Sequence, residues 1–363
     1  MADLPGARVL VTGGGGLIGS RITTQLRELG AHPVSICTLD AYPPHIYTDV
    51  FGINPHDPDV HTGSVTDPAL MRRLVADCDY VIHAAALADV AACTRNPLAA
   101  IDTNVTGTQI VLDAVAATEG VRRLVFVSSA SVYGNGDPDD WASKAPEARA
   151  LAKALEFVHG GRTTPQFSEH SPLRPLSVYA NTKVFGETQT ALTLGAVGTS
   201  HAIVRYFSVY GEPQTIKPGS HSWVVAWFCA RAALGLPLQL NGGGHQIRDL
   251  VHVDDIAHAT IRTLLTPKAH QQTLNIGTAT PTSIRTVAEL VATHFPHTTV
   301  TETPLPPGDP LGGYASTTHL SEVLGWTPRI RLAEGIARYA AWLTATPQAI
   351  PAWLREEAAA GAR

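Results

Sequence analysis

Tyr179 and Lys183 stand four residues apart in SVYANTKVFGE, and in a helix that spacing puts both side chains on one face. The pair has a chemistry of its own. An ammonium close to a phenol favours the phenolate, so the tyrosine pKa is expected to fall from about 10 towards the physiological range and Tyr179 to serve as a general base. Upstream, LVFVSSASVYG from Leu124 to Gly134 is an apolar run ending in hydroxyls, which is expected to set Ser129 at the carboxyl edge of a sheet, where it can hydrogen-bond a substrate oxygen. Tyr-x-x-x-Lys also occurs in ordinary amphipathic helices; the hydroxyl-bearing strand end is what raises it to a catalytic candidate.

A second constellation is VLVTGGGGLIGS, from Val9 to Ser20, in which a short apolar strand runs straight into Gly13, Gly16 and Gly19 and then a helix read over Ser20 to Leu29. Backbone without Cβ atoms comes close to phosphate oxygens, while the first helix N–H groups and the positive end of the helix dipole face the negative charge. Gly13 is expected to make the tight turn, Gly16 to admit a dinucleotide and Gly19 to let helix and strand pack. A further apolar strand from Pro33 to Leu39 ends in Asp40, whose carboxylate is placed to accept hydrogen bonds from an adenosine ribose. Ala41 follows, and no arginine comes closely behind to neutralise a 2'-phosphate, so NAD is expected rather than NADP.

These residues need a frame. The chain has 363 residues, of which 44% are hydrophobic, and a net charge of −5 without a Lys or Arg run. That is ample for a dinucleotide-binding domain plus a second lobe, and it argues against nucleic acid or an anionic membrane as partner. Cys37, Cys78, Cys93 and Cys229 lack C-x-x-C spacing and are expected as free thiols of a reducing compartment. No basic-then-apolar leader opens the chain, and the apolar stretch from Trp223 to Leu240 is interrupted by Arg231 and Pro237, so a cytoplasmic protein without a membrane span is expected. The histidines show no metal-ligand pairing, and no metal site is expected.

Strand-like runs at Val9 to Thr12, Val34 to Leu39, Tyr80 to His83 and Leu124 to Ser128 alternate with helical patterns such as Ala69 to Asp77 and Ile101 to Thr118. The alternation predicts an α/β fold, a parallel sheet covered by helices on both faces, with binding at the carboxyl ends of its strands. Asp137 to Gln166 reads as an insertion containing an amphipathic helix with Leu151, Leu155 and Val158 on one side. It either caps the substrate cleft or is a plain surface or dimer helix.

With these residues in place the chain resembles the extended short-chain dehydrogenase/reductase family, in its nucleotide-sugar epimerase and dehydratase branch. The resemblance covers nearly the whole chain: TGGGGLIG at Thr12 to Gly19, HAAA at His83 to Ala86, NVTGT at Asn104 to Thr108, SSASVYG at Ser128 to Gly134, YANTK at Tyr179 to Lys183, RYFSVYG at Arg205 to Gly211, RDLVHVDD at Arg248 to Asp255, NIG at Asn275 to Gly277 and LGWTP at Leu324 to Pro328. It implies a Rossmann-type, doubly wound parallel sheet with a smaller α/β substrate-binding lobe. The NAD-binding domain would span residues 1–181, with segments near 202–212 and 249–277 returning to it, and residues 182–363 would be mainly the substrate lobe.

The resemblance also implies roles. NAD would be held by Gly13, Gly16, Leu17, Ile18, Gly19, Asp40, Ser64, Val65, Ala84, Ala85, Ala86, Asn104, Ser128, Tyr179, Lys183 and Tyr206. Tyr179 would be the acid/base, Lys183 would hold the nicotinamide ribose and tune Tyr179, and Ser129 would bridge substrate hydroxyl and Tyr179. Ala88, Ser129, Ser131, Ser208 and Arg248 would face the substrate, with the guanidinium of Arg248 on the nucleotide diphosphate; the plain alternative for Arg248 is a salt bridge to Asp249 or Asp255. Homodimerisation through Pro97 to Thr118 and Val178 to Leu194 is expected from the same source.

Departures from the family pattern narrow the reaction. Members that dehydrate the sugar carry Asp and Glu directly after the catalytic hydroxyl, and decarboxylating members carry a glutamate there. This chain has Ala130 and Ser131, neither of which transfers a proton usefully at neutral pH. What remains needs only Ser, Tyr and Lys: a 4-epimerase that recycles its NAD, or a reductase that takes hydride from external NAD(P)H to a 4-keto sugar. A catalytically silent NAD-binding protein is a third class, against which the intact trio argues. Ser208 replaces the usual asparagine of RYFNVYG, and Leu305 or Pro306 stands where an arginine is common, which leaves the identity of the sugar open.

Overall fold

The computed structural model describes residues 4–136, 166–217, 223–304 and 312–361. The helix expected within the insertion, and Leu305 and Pro306, lie outside the described residues.

Seven parallel strands form the central sheet: β1 (Arg8–Thr12), β2 (His32–Cys37), β3 (Val60–Thr62), β4 (Tyr80–His83), β5 (Arg123–Ser129), β6 (His201–Tyr206) and β7 (Thr273–Ile276). Their order is β7-β6-β5-β4-β1-β2-β3, so the chain winds outward in both directions from β1. The ends of β1 and β4 therefore flank the switch point at which such sheets bind ligands. The strands are nearly continuous apolar runs because both faces are covered. Alternation sorts them: Val9, Val11, Val125 and Val127 pack with Ile22, Ile256 and Ile261 on one face, while Leu10, Leu124 and Phe126 pack with Met71, Leu112 and Val115 on the other. This is the doubly wound α/β fold expected.

Three elements differ in their bounds from the sequence reading. The first helix starts at Leu17, directly after its N-cap Gly16, rather than at Ser20. The second strand stops at Cys37 because Leu39 takes a left-handed backbone, φ 53°. The helix expected over Ile101 to Thr118 is a composite of Pro97–Ile101, a π turn at Asp102–Thr106 and Gly107–Ala116. The boundary expected at 181/182 falls inside one continuous helix, Val178–Ala196.

A second apolar core, built from residues such as Ile216, Phe228, Leu250, Val287 and Ile336, holds the helices Val224–Ala233, Ile284–Ala292 and Leu332–Ala345 together. Ion pairs tie this lobe to the sheet. Arg338 donates to Glu212 and to Asp254, and Arg21 of the first helix donates to Asp254, at distances of 2.6–3.0 Å. Glu212, His252 and Asp254 bring ligand-capable atoms within 4.8 Å of one another, but the two guanidinium groups already compensate both carboxylates. Among the described residues no helix is long and apolar enough to cross a membrane.

Candidate active site

The glycine turn lies at the carboxyl end of β1. Gly13 is left-handed, φ 75°, its N–H donates to Ile36 O at 2.8 Å, and a Cβ there would come within 2.9 Å of Ala85 N. Gly19 is packed so closely that a Cβ would overlap the Gly13 carbonyl oxygen. A Cβ on Gly16, by contrast, would meet only the Gly13 carbonyl oxygen within 4 Å, at 3.4 Å. Gly13 and Gly19 thus tighten the turn, and Gly16 keeps its outer side open where the first helical amides, at Leu17, Ile18 and Gly19, are left without helical partners. Such a cradle fits a dinucleotide diphosphate. Ala84 and Ala85 fix the adjoining strand end by donating to Thr12 O and Thr12 Oγ1 at 3.2 and 3.1 Å, and Ala86 follows half-buried. Asp40 is exposed past the end of β2, accepting from Thr38 Oγ1. Beyond β3, Ser64 Oγ accepts from Thr66 N at 3.1 Å, and Val65 is buried against Gly107.

Ser129, Tyr179 and Lys183 come together as expected. Ser177 caps the helix by accepting from Ala180 N at 3.1 Å, which starts it just before Tyr179. Lys183 is buried; its Nζ donates to Val127 O at 2.8 Å and lies 5.8 Å from the centre of the Tyr179 ring. Ser129 ends β5 and accepts from Ser131 N at 3.2 Å. The electrostatics correct one expectation. The Tyr179 phenol is pushed up to about 12, by burial, with only the Ser129 hydroxyl pulling it back down. Burial outweighs Lys183 at this phenol, and it also lowers the pKa of Lys183 itself to about 8 against the pull of Glu187.

Three residues expected at the cofactor serve the frame with their side chains. Ser128 Oγ donates to Glu187 Oε1 at 2.5 Å. Asn104 uses its amide fully, accepting from Leu87 N at 2.8 Å and donating to Leu87 O and Thr182 Oγ1 at 3.1 Å each. Tyr206 points to the opposite face of the sheet, where its hydroxyl lies 2.6 Å from Thr260 Oγ1; strand alternation gives the active-site side to its neighbour Arg205 instead.

Arg205 belongs to a buried network that the sequence reading passed over. It donates to both oxygens of Glu187 at 2.9 and 2.6 Å, and to Tyr133 OH at 2.8 Å; Tyr133 OH donates to Asn275 Oδ1 at 2.6 Å. Glu187 lies on the helix that carries Tyr179 and Ser128 at the end of β5, so the network locks those two elements together. The four-residue step from Lys183 to Glu187 was its signal in the sequence.

Of the residues expected to face the substrate, Ala88 is exposed in the loop after β4, Ser208 is half-buried past β6, and Ser131 keeps a buried hydroxyl with no hydrogen-bond partner among the described residues. Arg248 Nη1 donates to Ile247 O at 2.7 Å beside Gly312. Asp249 instead accepts from Thr278 N, Thr278 Oγ1, Ala279 N and Ala315 N at 2.6–3.0 Å, and Asp255 from the amides of Arg329 and Ile330. All four cysteines are free thiols.

A doubly wound sheet whose switch point carries this glycine cradle, with Ser, Tyr and Lys converging at the next strand end, defines an NAD-binding enzyme fold of the extended short-chain dehydrogenase/reductase type. The chain belongs to the NAD dependent epimerase/dehydratase family, whose model matches residues 9–277, and NAD is its cofactor. It is 28% identical over 350 residues to a dTDP-L-rhamnose 4-epimerase of Burkholderia thailandensis, covering 93% of this chain and 95% of that one. It is 30% identical over 346 residues to a dTDP-glucose 4,6-dehydratase of Streptomyces antibioticus, covering 92% and 91%. The UDP-glucose 4-epimerase of Thermus thermophilus, solved in complex with NAD, superposes with a TM-score of 0.75 at 27% identity over 92% of this chain and 98% of that one.

Proposed function

We propose that this chain is an NAD-dependent nucleotide-sugar 4-epimerase. The observation that carries the reading is the convergence of Ser129, Tyr179 and Lys183 at the end of β5, followed directly by Ala130 and Ser131. Elimination of water needs an extra acid and base at those two positions, and neither residue supplies one. Bound NAD supplies a hydride-accepting carbon and a positively charged ring. With the positive ring of NAD bound, Tyr179 would take part as the phenolate, accepting the proton of the sugar hydroxyl and, as the phenol so formed, returning it once the keto sugar has turned its other face; Ser129 holds the oxygen during both transfers. Lys183, cationic below about pH 8, offsets the charge that Tyr179 acquires.

Arg248 is assigned to the nucleotide diphosphate, and the second lobe, mainly residues 182–363, to the sugar. A homodimer is part of the proposal. Leu98 and Ile101, together with Phe185 and Leu192, are exposed apolar side chains on the two elements expected at the interface, a pattern a second copy would cover. A cytoplasmic location fits four free thiols.

The test is absorbance and mass spectrometry of the nucleotide released on denaturing the purified protein, alongside incubation with UDP- and dTDP-hexoses without added cofactor. Stoichiometric NAD or NADH and a C4 epimer are expected. An empty protein that consumes NAD(P)H with a keto sugar would replace this reading with a reductase.

A further inference from the structure

Lys217 reaches back from the second lobe to the dinucleotide lobe. Its Nζ lies 4.9 Å from the centre of the Tyr42 ring and 5.9 Å from that of Trp223. Tyr42 follows Asp40 by two residues in the loop after β2, so the ammonium is held between an aromatic ring of each lobe. Burial disfavours its charge, while the carboxylates of Asp89 and Asp40 favour it. Those two acids mark the loop after β4 and the end of β2, the strands on either side of β1 and its glycine turn. Lys217 therefore rests on the loop after β2 and feels charges from the strand ends on either side of the cradle.

The surroundings of Lys217 suit a ligand better than a structural tie. Among the described residues it makes no hydrogen bond and no ion pair, only the two ring contacts. An ammonium carries three donors, and ring faces give a cation about 0.5–1 kcal/mol at exposed sites, little against the cost of withdrawing it from water. Asp89 and Asp40 favour the charge without bonding to it, so its donors can take an anionic oxygen of a ligand. Arg248, the residue assigned to the substrate diphosphate, belongs to the small sheet formed with Gly312–Ala315, whereas Lys217 rests on Tyr42, two residues past Asp40 in the loop after β2.

We propose that Lys217 binds the diphosphate of NAD, closing from the second lobe the site that Gly13, Gly16 and Gly19 open. The proposal holds whether the enzyme epimerises or reduces its sugar. It makes cofactor retention a property of contact between the lobes, through a residue outside the glycine motif.

The test compares Lys217→Met, which keeps the aliphatic stem between the rings, with Lys217→Arg, which keeps the charge. NAD release from the loaded proteins is followed by rapid gel filtration, and UDP affinity by calorimetry. Loss of a charge-assisted hydrogen bond should speed NAD release from Lys217→Met by about tenfold, with Lys217→Arg near the parent rate and UDP affinity unchanged in both. NAD release at the parent rate from Lys217→Met overturns the proposal. So does weakened UDP binding with unchanged NAD release, which would make Lys217 a substrate ligand.

Discussion

Lys183 Nζ donates to the Val127 carbonyl oxygen at 2.8 Å, which pins the helix that carries Tyr179 to the strand that presents Ser129 two residues further on. The same contact buries the amine, and burial brings its pKa from 10.5 down to about 8. The folded protein therefore releases this proton before the unfolded chain does, and between about 8 and 10.5 this group's contribution to stability rises with pH. Activity should run the other way, because the ammonium is needed to offset charge on Tyr179. We expect kcat/KM to fall along an alkaline limb with a midpoint near 8. Lys183→Arg, whose charge persists at any working pH, should lower kcat and lose that limb. A pH–rate profile of both proteins checks it, and a parent profile flat through that limb would mean that Lys183 does not control the rate.

Tyr179→Phe removes the proton that the reaction moves and leaves the ring in place. A loss of about 10²–10⁴ in kcat is expected, with NAD still bound, because the glycine cradle and Asp40 remain. Turnover and the cofactor content of the purified variant are the two measurements. Full residual activity would sink the assigned mechanism.

The buried Arg205–Glu187 pair makes a prediction about stability. Both side chains are nearly inaccessible, with 6% and 7% exposure, so Arg205→Met would leave the Glu187 carboxylate with Ser128 as its remaining side-chain partner. Stranding a buried charge costs about 3–5 kcal/mol, whereas replacing both partners with apolar residues is often close to neutral. Urea unfolding should accordingly show Arg205→Met as the weaker protein, with Arg205→Met/Glu187→Leu recovering much of the loss. A double variant no better than the single would show that the pair contributes through its geometry and not through charge compensation.

The sheet and the trio were legible in the sequence because they depend on short-range patterns: apolar runs bounded by glycine, and a four-residue step within one helix. Side-chain direction was less so. Tyr206 and Arg205 are neighbours in one motif, and only the register of β6 decides that Arg205 faces the catalytic helix while Tyr206 meets Thr260 behind the sheet. Asn104 was expected at the cofactor, and its role as a clamp had no signal, since the π turn that holds it and the helix that carries Thr182 bring it to Leu87 and Thr182. The lowered pKa expected for Tyr179 failed for a related reason. Spacing brings Lys183 near the ring, yet burial of the phenol, which depends on packing between elements, outweighs it. Lys217 had no signal at all, because its partners Tyr42 and Trp223 belong to different lobes.

Glu212 joins the lobes and should register in acid. Burial alone would raise its pKa, but the hydrogen bond to His252 and the pairing with Arg338 bring it from 4.5 down to about 2. A carboxyl depressed in the folded state contributes stability that is complete above its unfolded value and is lost as pH falls towards its folded one. The contribution is therefore intact at pH 5 and withdrawn progressively below about 4.5. Glu212→Gln lacks this carboxylate at every pH. It should be less stable than the parent at neutral pH and lose less on acidification, so unfolding midpoints at about pH 5 and 3 should converge for the two proteins. Parallel decline would place the acid sensitivity in other carboxylates and reduce the Glu212–Arg338 pair to a surface contact between the lobes.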